Sequence, residues 1–313
     1  MSRETVAAGR GPVWDPAQYA VFGAERGRAF AELVGRIPLR DPAHVVDLGC
    51  GSGELTMLLA DRWPGARIDA LDGSPEMIAR ATASGTAGRE AVIGLPARED
   101  AADAPGRESA AGGQEPTTAG SGAAAERVRF AVGDVRTWRP GRPVDVIVSN
   151  AVLQWVPEHE ELLVRWAGDL APGGCLAFQV PGNYEAPSHM LLREVCRSAR
   201  WRDRLADALH WRPVRDAAGY LELLAGLGCA VDAWETTYVQ VLQGEDAVLE
   251  WVKGTALRPV LSALDERKAE EFLAEYGARL REAYPPRPYG TVFPFRRIFV
   301  VARRPEAGVG PPP

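Results

Sequence analysis

The sequence predicts an α/β fold: a doubly wound, mostly parallel seven-stranded sheet carrying a helical cap. Three observations predict it. Short apolar, β-rich runs alternate with helix-like stretches between positions 44 and 180, a glycine-rich turn joins the first run to the first helix, and the second half reads as helices interrupted by only two further β-like runs. Near-continuous apolar strands must be covered on both faces, which parallel strands with crossover helices provide.

The five early strands are read at 44–48, 67–71, 129–132, 144–149 and 175–180. Helical spacing fills 55–62, 75–83 and 158–170, with Ser74 placed as N-cap and Pro75 at the first helical position. Runs at 231–241 and 293–302 have only helical material between them, so they close the sheet as a late antiparallel pair. Segments near 187–227 and 245–284 read as helices, and RKAEEFLAEYGARLREAY repeats its apolar positions at helical spacing. Ligands of open α/β sheets bind beyond the carboxyl ends of the strands, where such helices form a roof.

The chain divides accordingly. Residues 1–13 are read as a flexible arm, 14–183 as a cofactor-binding core, 184–290 as the helical cap and substrate region with a late strand at 231–241, 291–304 as the final strand, and 305–313 as a disordered tail. Within the core, 82–126 has no aromatic residue and is dominated by Ala, Gly, Glu and Pro, a low-complexity insertion that buries too little apolar surface to order itself. A length of 313 residues alone suggests two domains, but without arm, insertion and tail the remainder is one α/β domain plus its cap.

Composition narrows the function. With 46% hydrophobic and 25% charged residues the chain is neither fibrous nor wholly disordered, and a net charge of -6 argues against a nucleic-acid partner. No apolar run is long enough for a membrane span, and the first residues lack a secretory apolar core, so a cytoplasmic location is expected. Four cysteines without a C-x-x-C pair and four scattered histidines predict reduced thiols and no metal site. Nothing indicates an oligomer, leaving a monomer as the default.

Residues 44–54 read HVVDLGCGSGE, with Asp47 and glycines at 49, 51 and 53. A dinucleotide fingerprint needs its third glycine at position 54, which is Glu here and would repel a pyrophosphate. A cationic ligand suits this acidic turn better. The D-x-G-x-G-x-G pattern resembles the first motif of class I S-adenosylmethionine-dependent methyltransferases, which implies their Rossmann-like fold and S-adenosylmethionine as cofactor. Asp72, with Gly73, ends the second strand about 20 residues on, where a carboxylate accepts ribose hydroxyls. Asp134 follows the third strand as acceptor for the adenine amine, with Val135 as an apolar contact. After the fourth strand comes SNAVLQW, where the resemblance places the methionine end against Asn150, Val152 and Trp155. Asp47, Gly49, Cys50 and Gly51 complete this set. Singly, Asp47 is equally a turn cap, Asp72 a strand terminator and Asp134 a turn acid; their joint order and spacing make the case.

Three further segments are similar to the trans-aconitate 2-methyltransferase family: SNAVLQWVPEHEELLVRWAGDLAPGGCLAFQVPGNYEAPSHMLLREV, the stretch containing EWVKGT, and LREAYPPRPYGTVFPFRRIFVVA. WDPAQYAVFGAERGRAFAELVGRI near the N-terminus is similar as well. The likeness runs from about Trp14 to Arg303 except across the insertion, with Ser52 in place of a frequent Pro and APSH in place of EPSH. It implies a small polycarboxylate substrate. A carboxylate is already ionised near neutral pH, so its attack on a sulfonium methyl needs positioning and no general base; no single catalytic residue is expected. The remaining carboxylates need cationic and hydroxyl donors. Candidates are Tyr19, Arg26, His189, Arg193, Lys253, Tyr284 and Arg296, with Trp14 and Trp251 as apolar walls; Arg258 and Arg297 are also in reach. Arg296 and Arg297 alternate on a strand, so at most one faces the site. Two rivals remain, another small-molecule O-methyltransferase and a non-catalytic cofactor-binding module.

Overall fold

The computed structural model describes residues 23–86, 127–205, 208–209, 213–306 and 308. Its strands are β1 (His44–Leu48), β2 (Arg67–Asp72), β3 (Val128–Val132), β4 (Val144–Asn150), β5 (Leu170–Pro181), β6 (Ala230–Leu242) and β7 (Thr291–Arg303). They form one sheet in the order β3-β2-β1-β4-β5-β7-β6. The first five strands are parallel, and β7 runs antiparallel to both β5 and β6. β5 begins before the expected 175 because Val144 pairs with Leu170 while Val146 pairs with Cys175. The unmatched residues between them form a bulge, which broke the apolar run in the sequence.

The helices are α1 (Gly23–Gly35), α2 (Thr56–Arg62), α3 (Pro75–Thr86), α4 (His159–Asp169), α5 (Pro187–Arg197), α6 (Arg202–Leu205), α7 (Ala217–Ala225), α8 (Ala247–Lys253), α9 (Arg258–Ser262) and α10 (Glu266–Ala283). Ser74 caps α3 as expected, its Oγ accepting from Met77 N–H at 3.2 Å. That helix continues to Thr86, so positions 82–86, read as the start of an insertion, belong to it. Residues 87–126 and the N-terminal arm lie outside the described residues.

Alternation along the strands sorts the apolar side chains between two layers. Val45, Val146, Val148, Ala177, Phe299 and Val301 meet α1 and α2, whereas Val46, Leu48, Ile147, Phe178, Ile298 and Val300 meet α4 and α7. A separate core joins α5, α6, α8, α9 and α10 to Leu242, Phe293 and Phe295 at the far ends of β6 and β7. The cap thus hangs on the two long antiparallel strands. α7 was expected within the cap region; instead Tyr220 and Leu224 bury it on the sheet, because its apolar face continues that of α4. Among the described residues no helix is long and apolar enough to cross a membrane.

One carboxylate fixes α1 to the edge strand. Glu32 accepts from Trp234 Nε1 (2.9 Å) and Thr236 Oγ1 (3.0 Å) on one oxygen and from Tyr238 Oη (2.5 Å) on the other. Burial alone would raise its pKa, but these donors and Arg36 outweigh it and hold the carboxyl below its ordinary value. Glu32→Ala leaves three donors unpaired and should cost about 2–3 kcal/mol in urea unfolding; a loss under about 0.5 kcal/mol would show that the clamp carries little of the packing.

Candidate cofactor and acceptor site

Strand order reverses between β1 and β4, so a crevice opens beyond their carboxyl ends. The glycine turn after β1 forms its floor. Gly49 and Gly51 both hold positive φ, +86° and +58°. They serve different ends. A Cβ on Gly49 would lie 2.0 Å from Val152 Cγ2, whereas one on Gly51 would meet nothing within 4 Å. Gly49 therefore lets the turn pack under β4, and Gly51 leaves the open cradle that a ligand backbone contact needs.

The turn is tied to β2. Gly49 N–H and Cys50 N–H donate to Leu71 O at 2.7 and 3.0 Å. Asp72 then accepts from Gly51 N–H on Oδ2 and from Ser74 N–H on Oδ1, each at 2.9 Å, with Gly73 between. Each carboxylate oxygen keeps a further lone pair, so Asp72 shapes the turn and can still receive two hydroxyls. Asp47 lies beneath, 2% exposed, with Oδ2 accepting from Thr56 Oγ1 at 2.7 Å. Burial, opposed by Thr56 and reinforced by Asp72, pushes its pKa up to about 7. Burial likewise pushes the Cys50 thiol far up, so this residue offers its backbone and not a thiolate.

Asp134 is engaged otherwise than expected. Arg136 takes both its oxygens, with Nη2 at 2.6 Å and Nε at 2.9 Å from Oδ2 and Nε at 3.0 Å from Oδ1. The guanidinium is 63% exposed, so the pair contributes little and yields readily to a competing donor. Val135 is buried in the α4-side core. After β4, Ala151 adopts φ +57°, the one positive value at a non-glycine among the described residues. Its N–H donates to Gln179 O at 2.9 Å and its carbonyl accepts from Gln154 Nε2 at 2.7 Å, which hold this strained corner. Asn150 Oδ1 is buried beside it with no partner among the described residues, and Trp155 closes the short Leu153–Trp155 turn.

The acceptor candidates separate. Trp14 and Tyr19 lie outside the described residues, as does the side chain of Arg26 within α1. His189 and Arg193 lie one turn apart on α5. Burial, with Arg193 adding repulsion, pushes His189 down to about 4, so it is a neutral imidazole at pH 7 rather than a cation. Arg193 stacks 3.8 Å over the Tyr184 ring and donates to Tyr184 O at 2.5 Å, pinning the β5–α5 loop. Four further candidates have partners of their own within the fold. Tyr284 Oη accepts from Ser188 N–H at 3.1 Å and so caps α5 together with Tyr276. Trp251 is cap core, packed on Phe293 and Phe295. Lys253 pairs with Glu250 at 2.5 Å, one turn back on α8. Arg296 pairs with Glu235 on β6 at 2.6 Å, whereas Arg297 is 3% exposed on the α1 side and donates to Gln179 Oε1 at 2.8 Å. Gln179 escaped the sequence reading, although a lone amide in the apolar run CLAFQVP was its signal. Among the described residues no His, Cys, Asp and Glu cluster is arranged for a metal.

The methyltransferase domain family matches residues 22–233. A trans-aconitate 2-methyltransferase of Streptomyces avermitilis is 52% identical over 296 residues, covering 94% of this chain and 97% of its own. That of Streptomyces coelicolor is 49% identical over 300 residues, covering 94% and 88%. A third, from Mycobacterium tuberculosis, is 43% identical over 295 residues, covering 93% and 96%. Among solved structures, the YcgJ protein of Bacillus subtilis superposes with a TM-score of 0.53 at 12% identity, covering 90% of this chain and 99% of that one. The 4+2 cyclase SpnF gives 0.50 at 15% identity over 90% and 81%. These two likenesses show the fold alone, and a cyclase among them illustrates that this fold does not fix the chemistry.

Two outcomes follow for the turn. Gly51→Ala costs about 1 kcal/mol of backbone strain but fills the cradle, so cofactor affinity by calorimetry should fall at least tenfold with a small change in Tm; Gly49→Ala should lower Tm much further. Unchanged cofactor affinity in Gly51→Ala would place the cofactor elsewhere. For Asp47, the folded pKa near 7 lies above the unfolded value of about 4, so the folded state holds the extra proton between them. Its contribution is present below pH 4 and lost as pH rises through 7. Asp47→Asn should flatten that descending slope in urea titrations between about pH 4 and 7; an identical slope would show that another group carries it.

Proposed function

The chain belongs to the trans-aconitate 2-methyltransferase family, and from that membership we propose that its crevice transfers a methyl group from S-adenosylmethionine to one carboxylate of trans-aconitate, giving the monomethyl ester. The observation that carries this reading is the Gly51 cradle above Asp72, in a chain 52% identical to a curated member along nearly its whole length. The residues present fit the cofactor. The backbone of Gly49, Cys50 and Gly51 and the Asp72 carboxylate would hold its ribose side, Asp134 its adenine amine, and Asn150, Val152 and Trp155 its methionine end. When bound, the cofactor supplies an electrophilic sulfonium methyl.

What the chain itself contributes is position. A carboxylate nucleophile is ionised above about pH 5, so no side chain has to remove a proton. His189, held near pKa 4, is a poor base and suits donation of one N–H to a bound anion. That speaks against a hydroxyl acceptor, which would call for a competent base at this place. Attack in line with the breaking S–C bond then joins opposite charges that cancel, and a water-poor crevice does not oppose that step. We take the working unit to be a metal-free monomer in a reducing, cytoplasmic setting; four free, buried cysteines support the reducing part of that reading.

With labelled cofactor, the purified protein should form a base-labile ester on trans-aconitate. Labelling of a phenol instead would overturn the reading. Because no general base takes part, kcat should stay level from about pH 6 to 9; a rise of tenfold across an inflection that His189→Gln removes would show a base at work.

A further inference from the structure

Three polar side chains on the adjacent strands β4, β5 and β7 lie level with the carboxyl ends of β4 and β5 on the α1 side of the sheet. Asn150 of β4 stands opposite Gln179 of β5, and Arg297 of β7 pairs in register with Pro181, two residues beyond Gln179 and on the same face. Gln179 has no exposed surface and Arg297 is 3% exposed. A guanidinium donates and never accepts, so the 2.8 Å contact from Arg297 Nη1 fixes the carboxamide with its oxygen toward Arg297 and its NH2 turned away. Among the described residues that buried Nε2 has no acceptor. Interiors rarely tolerate such a donor, and its presence beside an arginine calls for an anion.

We propose that Gln179 and Arg297 are the anchor for a non-reacting carboxylate of the acceptor, whose oxygen accepts from Gln179 Nε2 next to the Arg297 charge. The inference rests on the polycarboxylate reading above and adds the residues that would select for it. Two carboxylates compete for this place, that of the acceptor and that of the cofactor's own amino-acid end. Position favours the acceptor. The ribose and adenine residues run from β1 toward β2 and β3 and the methionine end reaches as far as β4, whereas Gln179 and Arg297 lie on β5 and β7 beyond it, with β7 three strands from the glycine turn and thus roughly 14 Å away. Asn150 Oδ1 is an acceptor and cannot serve the same anion, so it marks the boundary between the two subsites.

Gln179→Glu isolates the donor, since it preserves the oxygen that Arg297 needs and replaces the NH2 by an oxygen that repels carboxylate. In calorimetry on protein loaded with S-adenosylhomocysteine, trans-aconitate should bind at least tenfold more weakly to this variant, and KM should rise by a similar factor with kcat nearly constant. Affinity for S-adenosylhomocysteine should change less than twofold, and transfer to an unsaturated monocarboxylate should be equally slow in both proteins. Unchanged trans-aconitate affinity would overturn the anchor, and so would an equal loss for S-adenosylhomocysteine, which would assign the place to the cofactor's carboxylate. If Gln179→Glu does not fold, Arg297→Lys reads the same site, with weaker trans-aconitate binding and intact cofactor binding as the supporting result and unchanged trans-aconitate binding as the refuting one. Wild-type protein that binds trans-aconitate without forming ester would leave the anchor and overturn the reaction; ester formation with no effect of either variant would do the reverse, and a wild type that does not bind trans-aconitate would overturn both.

Discussion

The bond from Gly51 N–H to the Asp72 carboxylate is the constraint on which the rest of the crevice depends. It closes the turn after β1 against the end of β2, so the left-handed backbone at Gly49 and Gly51 is held in one shape. Because Gly49 then fits beneath Val152, the corner after β4 is placed as well, and with it the strained Ala151 and the buried face of Asn150. One backbone donor thereby links three strand ends, and the carboxylate that accepts it keeps capacity for a ligand.

Electrostatics divide the site along the sheet. Toward β2 and β3 lie the carboxylates Asp72 and Asp134, above the buried Asp47; beyond β4 lie the buried Gln179 and Arg297. A cofactor with a cationic sulfonium and an acceptor with several negative charges suit opposite ends of that gradient. An overall charge of -6 therefore says little about how charge is distributed along the sheet.

Much of the fold was legible because strand burial is two-sided. Apolar runs with no polar alternation, separated by helical spacing, leave little alternative to a covered parallel sheet, and the glycine turn fixed where its ligand end lies. The turn residues were legible for a related reason, since Asp47, Gly49, Gly51 and Asp72 belong to one local strand-turn-helix-strand unit. What was not legible depended on contacts distant in sequence. Tyr284 is a helix cap only because Ser188 folds against it, and Trp251 is core only because Phe293 and Phe295 return beside it. The faces that Arg296 and Arg297 take depend on the phase of β7, set by pairing with β5 and β6 more than a hundred residues and about sixty residues away. The bulge in β5 likewise hid five residues of strand, and the Arg136 pairing of Asp134 left no mark in the motif.

The measurement that tests the account most directly is a crystal structure of the protein with S-adenosylhomocysteine and a tricarboxylate bound. The account predicts both ribose hydroxyls within hydrogen-bonding distance of Asp72, the homocysteine sulfur facing the far side of β4, and a carboxylate against Gln179 and Arg297. A ribose remote from Asp72, or a tricarboxylate seated on the Asp134 side of the glycine turn, would contradict it.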